Sequence, residues 1–153
     1  MSESFLGLRY EPEGDGTGLL KARVQTVSFS GQSEAWLGED ELLSFARALT
    51  ATFPLPANFN RQLKAGSPYR AKSASEQHPP YISIAVYPVG NTGAIGIRVD
   101  LASPTYDNER PETQSTVGLE LITRYGPLQD FANQLISVVL GTASHAKLEQ
   151  YEP

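Results

Sequence analysis

One order of elements, read twice along the chain, constrains the fold more than any other feature: three short alternating strands followed by an amphipathic helix. The first helix is expected over 40–53, where Leu42, Phe45, Leu49 and Phe53 recur at i, i+3, i+7 and i+11, the spacing of one helical face. Glu39, Asp40 and Glu41 stand at its start, where the helix dipole favours negative charge, and Pro54 stops it. The second helix is expected over 127–140, with Pro127 at its first position, a stripe of Leu128, Phe131, Leu135 and Val138, and Gly141 as its stop. A shift of 86 residues carries Leu42, Phe45, Ala46 and Leu49 onto Leu128, Phe131, Ala132 and Leu135 with no change of residue type.

Each helix follows three runs of period two. In the second half, Ile82, Ile84 and Val86 alternate with more polar neighbours, and Gly90-Asn91-Thr92-Gly93 supplies a hairpin turn. Ile95, Ile97, Val99 and Leu101 then alternate with Gly96, Arg98 and Asp100, and Val117, Leu119 and Leu121 face away from Glu120. In the first half, Leu6, Leu8 and Tyr10 form a short strand and Glu13–Gly18 a turn, and Leu20, Ala22 and Val24 alternate with Lys21 and Arg23. The pattern slips to Val27 and Phe29, which implies a bulge near Gln25 and Thr26. Gly31-Gln32 is expected to turn the chain, and Ala35-Trp36-Leu37 to close a third strand with Trp36 as a core anchor. These readings define a single α+β domain over 1–153. It comprises β-β-β-α halves at 5–56 and 80–141, a connector at 57–79 and a polar tail at 142–153. Each half has one sheet face and one helix stripe to bury, so an antiparallel sheet with both helices packed on one face is expected. At 153 residues, such a domain buries roughly 70% of its unfolded surface.

The chain contains no cysteine, which excludes disulfides, thiolate metal sites and a cysteine nucleophile. No run approaches the ~18 consecutive apolar residues of a membrane span, and an acid stands near the N-terminus where a signal peptide carries bases. A cytoplasmic protein with no membrane partner is expected. The net charge of −5 provides no dominant basic footprint for a nucleic-acid partner. Charge is unevenly placed, however. Residues 57–79 hold Arg61, Lys64, Arg70 and Lys72 against Glu76 alone, a local +3 on a remainder of −8.

Catalytic and cofactor patterns are absent from the sequence. The two histidines, His78 and His145, are read as surface residues and form no metal-ligand motif with each other, and no Gly-x-Ser-x-Gly elbow occurs. The two glycine-rich turns lead into strands, where a phosphate-binding loop leads into a helix. Asp100 and Glu120 fall on adjacent strands opposite the core, beside outward positions that also hold Lys21, Arg23 and Arg98. An ion-paired sheet face accounts for all five. No cofactor, metal or catalytic residue is expected. The basic connector offers the binding candidates Arg61, Lys64, Tyr69 and Arg70, because Tyr and Arg are frequent contact anchors.

Trp36-Leu37 followed by Glu41, Leu42, Phe45 and Leu49 resembles small bacterial families grouped with toxin immunity proteins, those accompanying wall-associated contact toxins. The Asn that precedes the Trp in that group is absent here. The resemblance covers about a fifth of the chain and implies a cytoplasmic protein that binds and blocks a partner protein such as a toxin. The expected function is therefore non-catalytic protein binding or inhibition. The alternatives are a small-molecule carrier or enzyme with a pocket between sheet and helices, and a structural homo-oligomer joined through sheet edges.

Overall fold

The computed structural model describes residues 4–51, 53–66, 81–103 and 110–150. Ten principal elements follow in order: β1 (Phe5–Pro12), β2 (Thr17–Gln25), β3 (Ser30–Gly38), α1 (Glu39–Thr50), β4 (Arg61–Ala65), β5 (Ile82–Val89), β6 (Ala94–Ala102), β7 (Thr116–Thr123), α2 (Tyr125–Val139) and β8 (Ala146–Glu149). The class is α+β, with antiparallel strands throughout and two similar halves. The strands divide into two four-stranded sheets, in the orders β3-β2-β1-β8 and β4-β5-β6-β7.

The duplicated unit thus has a fourth strand after its helix, and the two units exchange it. β4 follows α1 but pairs with β5, while β8 follows α2 but pairs with β1. Register matches between the halves: Leu6 opposite Val24 corresponds to Ile82 opposite Leu101, and Leu20 opposite Ala35 to Ile97 opposite Leu121. Both exchanged strands lie where the sequence showed no element. β4 sits inside the connector and β8 inside the tail. Each buries two side chains, Leu63 and Ala65 or Ala146 and Leu148, too few for a periodic signal.

Both helices carry the expected stripe except at Phe53, which lies beyond the end of α1 at Thr50 and is exposed. Leu42, Phe45, Ala46 and Leu49 are buried on α1, as are Leu128, Phe131, Ala132, Leu135 and Val138 on α2. They pack on one another and on the inward residues of both sheets in one core. α2 starts two residues before Pro127. Pro127 is still within the first turn, where a backbone N–H has no intrahelical acceptor to lose. At its other end, Gly141 (φ +83°) donates to the Val138 carbonyl at 3.2 Å, and Thr142 donates to that of Ser137 at 2.9 Å. This paired pattern closes the helix.

Two details of the first half differ from expectation. The turn between β2 and β3 is Thr26–Phe29, closed by Thr26 N–H donating to the Phe29 carbonyl at 2.7 Å. Val27 and Phe29 are therefore exposed at a hairpin tip. Gly31 lies within β3, where a Cβ would come 2.5 Å from Val117 Cγ1 of β7. A glycine here allows the two sheets to approach. Ser33 Oγ also ties them, donating to the Ala102 carbonyl at 2.7 Å. Trp36 is no core anchor: it is 37% exposed and pairs with Leu19 on the outer face, while Ala35 and Leu37 point inward. Alternation permits only one parity inside, and the β2 register assigns it to the smaller neighbours of Trp36.

Candidate functional site

The outer face of the first sheet gathers cations from three strands. Alternation turns Leu6, Leu8 and Tyr10 of β1 inward and leaves Gly7 and Arg9 on the outer side. Register then chooses their neighbours. Gly7 is flanked by Arg23 of β2 and by Lys147 of β8. Two residues along, Arg9 lies opposite Lys21. Same-face neighbours in adjacent rows are about 7 Å apart, so Arg23 and Lys147 stand on either side of a position without a side chain, with Arg9 and Lys21 in the next row. The result is an open basin of about 570 Å³, with His145 and Glu34 on its lining.

Three of the four cations have partners within the sheet. Lys147 Nζ lies 4.6 Å from the centroid of the Phe5 ring, and the Arg23 guanidinium carbon lies 5.9 Å from it, both within cation–π range. Arg23 also donates to Gln25 Oε1 at 3.3 Å. Lys21 pairs with Glu11 at 3.0 Å and Lys147 with Glu149 at 3.3 Å, with every one of these side chains at least 41% exposed. Exposed pairs contribute little energy, but they bias side-chain direction. Arg9 is exposed and has no protein partner among the described residues.

The basin holds no catalytic pairing. Ser33, at its margin, is committed to the Ala102 carbonyl. His145 Nδ1 contacts the adjacent Ser144 Oγ at 3.1 Å. Among the described residues, no group of three or more His, Asp or Glu is placed to hold a metal ion. The chemistry such a surface offers is capture of an anion.

The second sheet presents a different outer face. Arg98 donates from Nε and Nη2 to the two oxygens of the Asp100 carboxylate, at 3.2 and 3.0 Å, and Asp100 holds the Arg98 guanidinium above its ordinary pKa. Glu120, opposite Arg98, accepts a hydrogen bond from the Tyr87 hydroxyl. Burial, reinforced by Glu120, pushes the Tyr87 phenol up to about 12. Asp100 and Glu120 are therefore brought to one face, as alternation implied, and both are engaged by neighbours. The turn between β1 and β2 is likewise self-contained: Asp15 accepts from Thr17 Oγ1 at 2.6 Å and Thr17 N–H at 3.0 Å, bonds that hold its carboxyl below the ordinary range.

Of the four expected contact residues, two are described. Arg61 is half-buried between β4 and α1, with Nη2 donating to Ser44 Oγ at 2.9 Å, and Lys64 is exposed three residues along the strand. Tyr69 and Arg70 lie outside the described residues, as do Lys72 and His78. Alternation along β2 places Lys21 and Arg23 outward but does not connect them with Arg9 or Lys147. The usable signal was the alternation Ala146-Lys147-Leu148-Glu149, which is only four residues long.

No family model and no curated protein matches the chain. Among solved structures it is similar to the plant transcriptional regulator PBF-2, at 12% identity and a TM-score of 0.42, over 92% of this chain and 79% of that one. A likeness at that level assigns neither fold nor function. No helix among the described residues is long and apolar enough to cross a membrane.

Proposed function

We propose that this chain is a non-catalytic binding protein that holds an acidic partner protein against the outer face of its first sheet and thereby inhibits it. One observation carries the reading: Arg9, Lys21, Arg23 and Lys147 share the outer face around Gly7 in a chain whose net charge is −5. A cationic patch on an acidic molecule orients an oppositely charged partner and raises its association rate. The inhibitory form draws its support from the resemblance of the Trp36 to Leu49 region to toxin immunity proteins, and with it comes a cytoplasmic location. Arg61, Lys64, Tyr69 and Arg70 are the second proposed set of contacts, of which Arg61 already donates to Ser44 Oγ.

The test is association with the product of the neighbouring gene, followed by surface plasmon resonance at two salt concentrations. The wild-type chain is expected to bind with an on-rate that falls as salt rises. Arg9→Glu with Lys147→Glu is expected to lower that rate about tenfold or more. The same loss from replacing Arg61, Lys64, Tyr69 and Arg70, with none from the pair on the first sheet, moves the interface to the second patch. Binding indifferent to both sets refutes the reading.

A further inference from the structure

Glycine inside a strand weakens it, because it gives up backbone entropy and packs no side chain. Each of the strand-interior glycines Gly18, Gly31, Gly96 and Gly118 has a steric reason to be there: an added Cβ would come within 3 Å of a neighbouring atom. Gly7 does not. Its φ is not positive, and a Cβ would meet nothing closer than the Phe5 ring at 3.9 Å and the Arg23 carbonyl at 4.0 Å, which is ordinary contact. Nothing in the fold requires a glycine at the middle of β1. What its missing side chain does create is the floor of the cationic basin, where a ligand can reach the sheet surface.

We infer that Gly7 is the floor of a discrete oxyanion site that takes a phosphate group. The inference rests on the binding reading above for its choice of face, and deepens it by naming the group that anchors the ligand. The cations approach from opposite sides: Lys147 and Arg23 from the strands flanking Gly7, Arg9 and Lys21 from the next row. A carboxylate presents two oxygens along one edge and a single charge. A phosphate monoester presents three strong acceptor oxygens in diverging directions and about −1.5 to −2 charges at neutral pH, which suits Arg23 and Lys147 as donors set on both sides of Gly7, with the unpaired Arg9 in the next row. The arginines add a forked donor geometry that matches phosphate.

The phosphate can belong to a modified side chain of a partner protein or to a free small molecule, and the two sources are separable. The full chain is titrated at low salt with inorganic pyrophosphate, with a phosphoserine peptide and with a glutamate-rich peptide, and backbone amide shifts are followed by nuclear magnetic resonance. Pyrophosphate is expected to shift the Gly7, Arg9 and Lys147 amides saturably. Gly7→Val, which fills the floor without removing charge, is expected to weaken that binding by about tenfold or more with thermal stability unchanged or raised. Gly7→Ala is the milder variant and is expected to weaken it less. Tighter binding of the phosphoserine peptide identifies a modified protein as the source; tighter binding of pyrophosphate identifies a free phosphate ligand. If both folded Gly7 variants bind pyrophosphate within about twofold of the wild type, the oxyanion site is refuted. If only the glutamate-rich peptide binds, the site is refuted and the protein-binding reading stands. If no probe binds, the site is refuted and the reading loses its basin.

Discussion

Leu148→Ala tests whether the last strand is an integral part of the first sheet. Leu148 is 1% exposed and pairs with Leu6, which is fully buried. The substitution removes three carbon atoms from the core, worth about 2.4 kcal/mol at ~0.8 kcal/mol per group. The cavity left behind adds to this, and Leu→Ala changes in cores cost about 2–5 kcal/mol in total. β8 is short and at a sheet edge, so partial collapse is easy, and a loss of about 3 kcal/mol is expected. For a chain of this length, that lowers Tm by about 6–12 °C. Urea unfolding followed by far-ultraviolet circular dichroism measures it, with an unchanged m-value showing that the same surface is exposed on unfolding. A tail that merely frays against the domain gives a loss below about 0.5 kcal/mol. That result would refute the exchange of fourth strands and remove Lys147 from the basin.

Gly31→Ala should destabilise the protein by about 1–3 kcal/mol through overpacking against Val117, and Val117→Ala should recover part of the loss in a double-mutant cycle; simple additivity would show that the sheets do not meet there. Tyr10 and Tyr87 are both pushed up to about 12, Tyr10 by burial and the nearby carboxylates of Glu39, Asp15 and Glu41. Their folded-state values lie above the unfolded one, so the stability they contribute is complete below about pH 10 and is lost as pH rises through about 12. An ultraviolet absorbance titration of the native protein should show a late-ionising component that diminishes in Tyr87→Phe, and its absence would contradict the Glu120 hydrogen bond.

Elements whose burial repeats within a short window are legible from residue order alone. The two helix stripes, separated by 86 residues, are buried on the residues their spacing selects, Phe53 beyond the end of α1 excepted, because a helical face is a local property of period 3.6. β5, β6 and β7 were legible for the same reason, with period two in place of 3.6. Gly90 and Gly93 marked their turn and do adopt positive φ. Where apolar residues were exposed, the signal misled: Val27 and Phe29 imitate a strand but occupy a hairpin tip. Trp36 misled in the opposite sense, its size suggesting burial that strand parity denies it.

Which elements become neighbours is settled by strand pairing across the fold. β4 and β8 become strands because a sheet edge from the other half accepts them, and neither has enough inward residues to announce itself. The candidate site depends on that choice. Lys147 is far from Gly7 along the chain, yet faces it directly across the β1–β8 pair, and Arg23 faces it across the β1–β2 pair. Backbone hydrogen bonding between strands is indifferent to sequence separation, so the neighbours of Gly7 are set by register and strand exchange. The residue types of the basin were visible in the sequence, while their placement on one face around Gly7 is a property of the folded sheet.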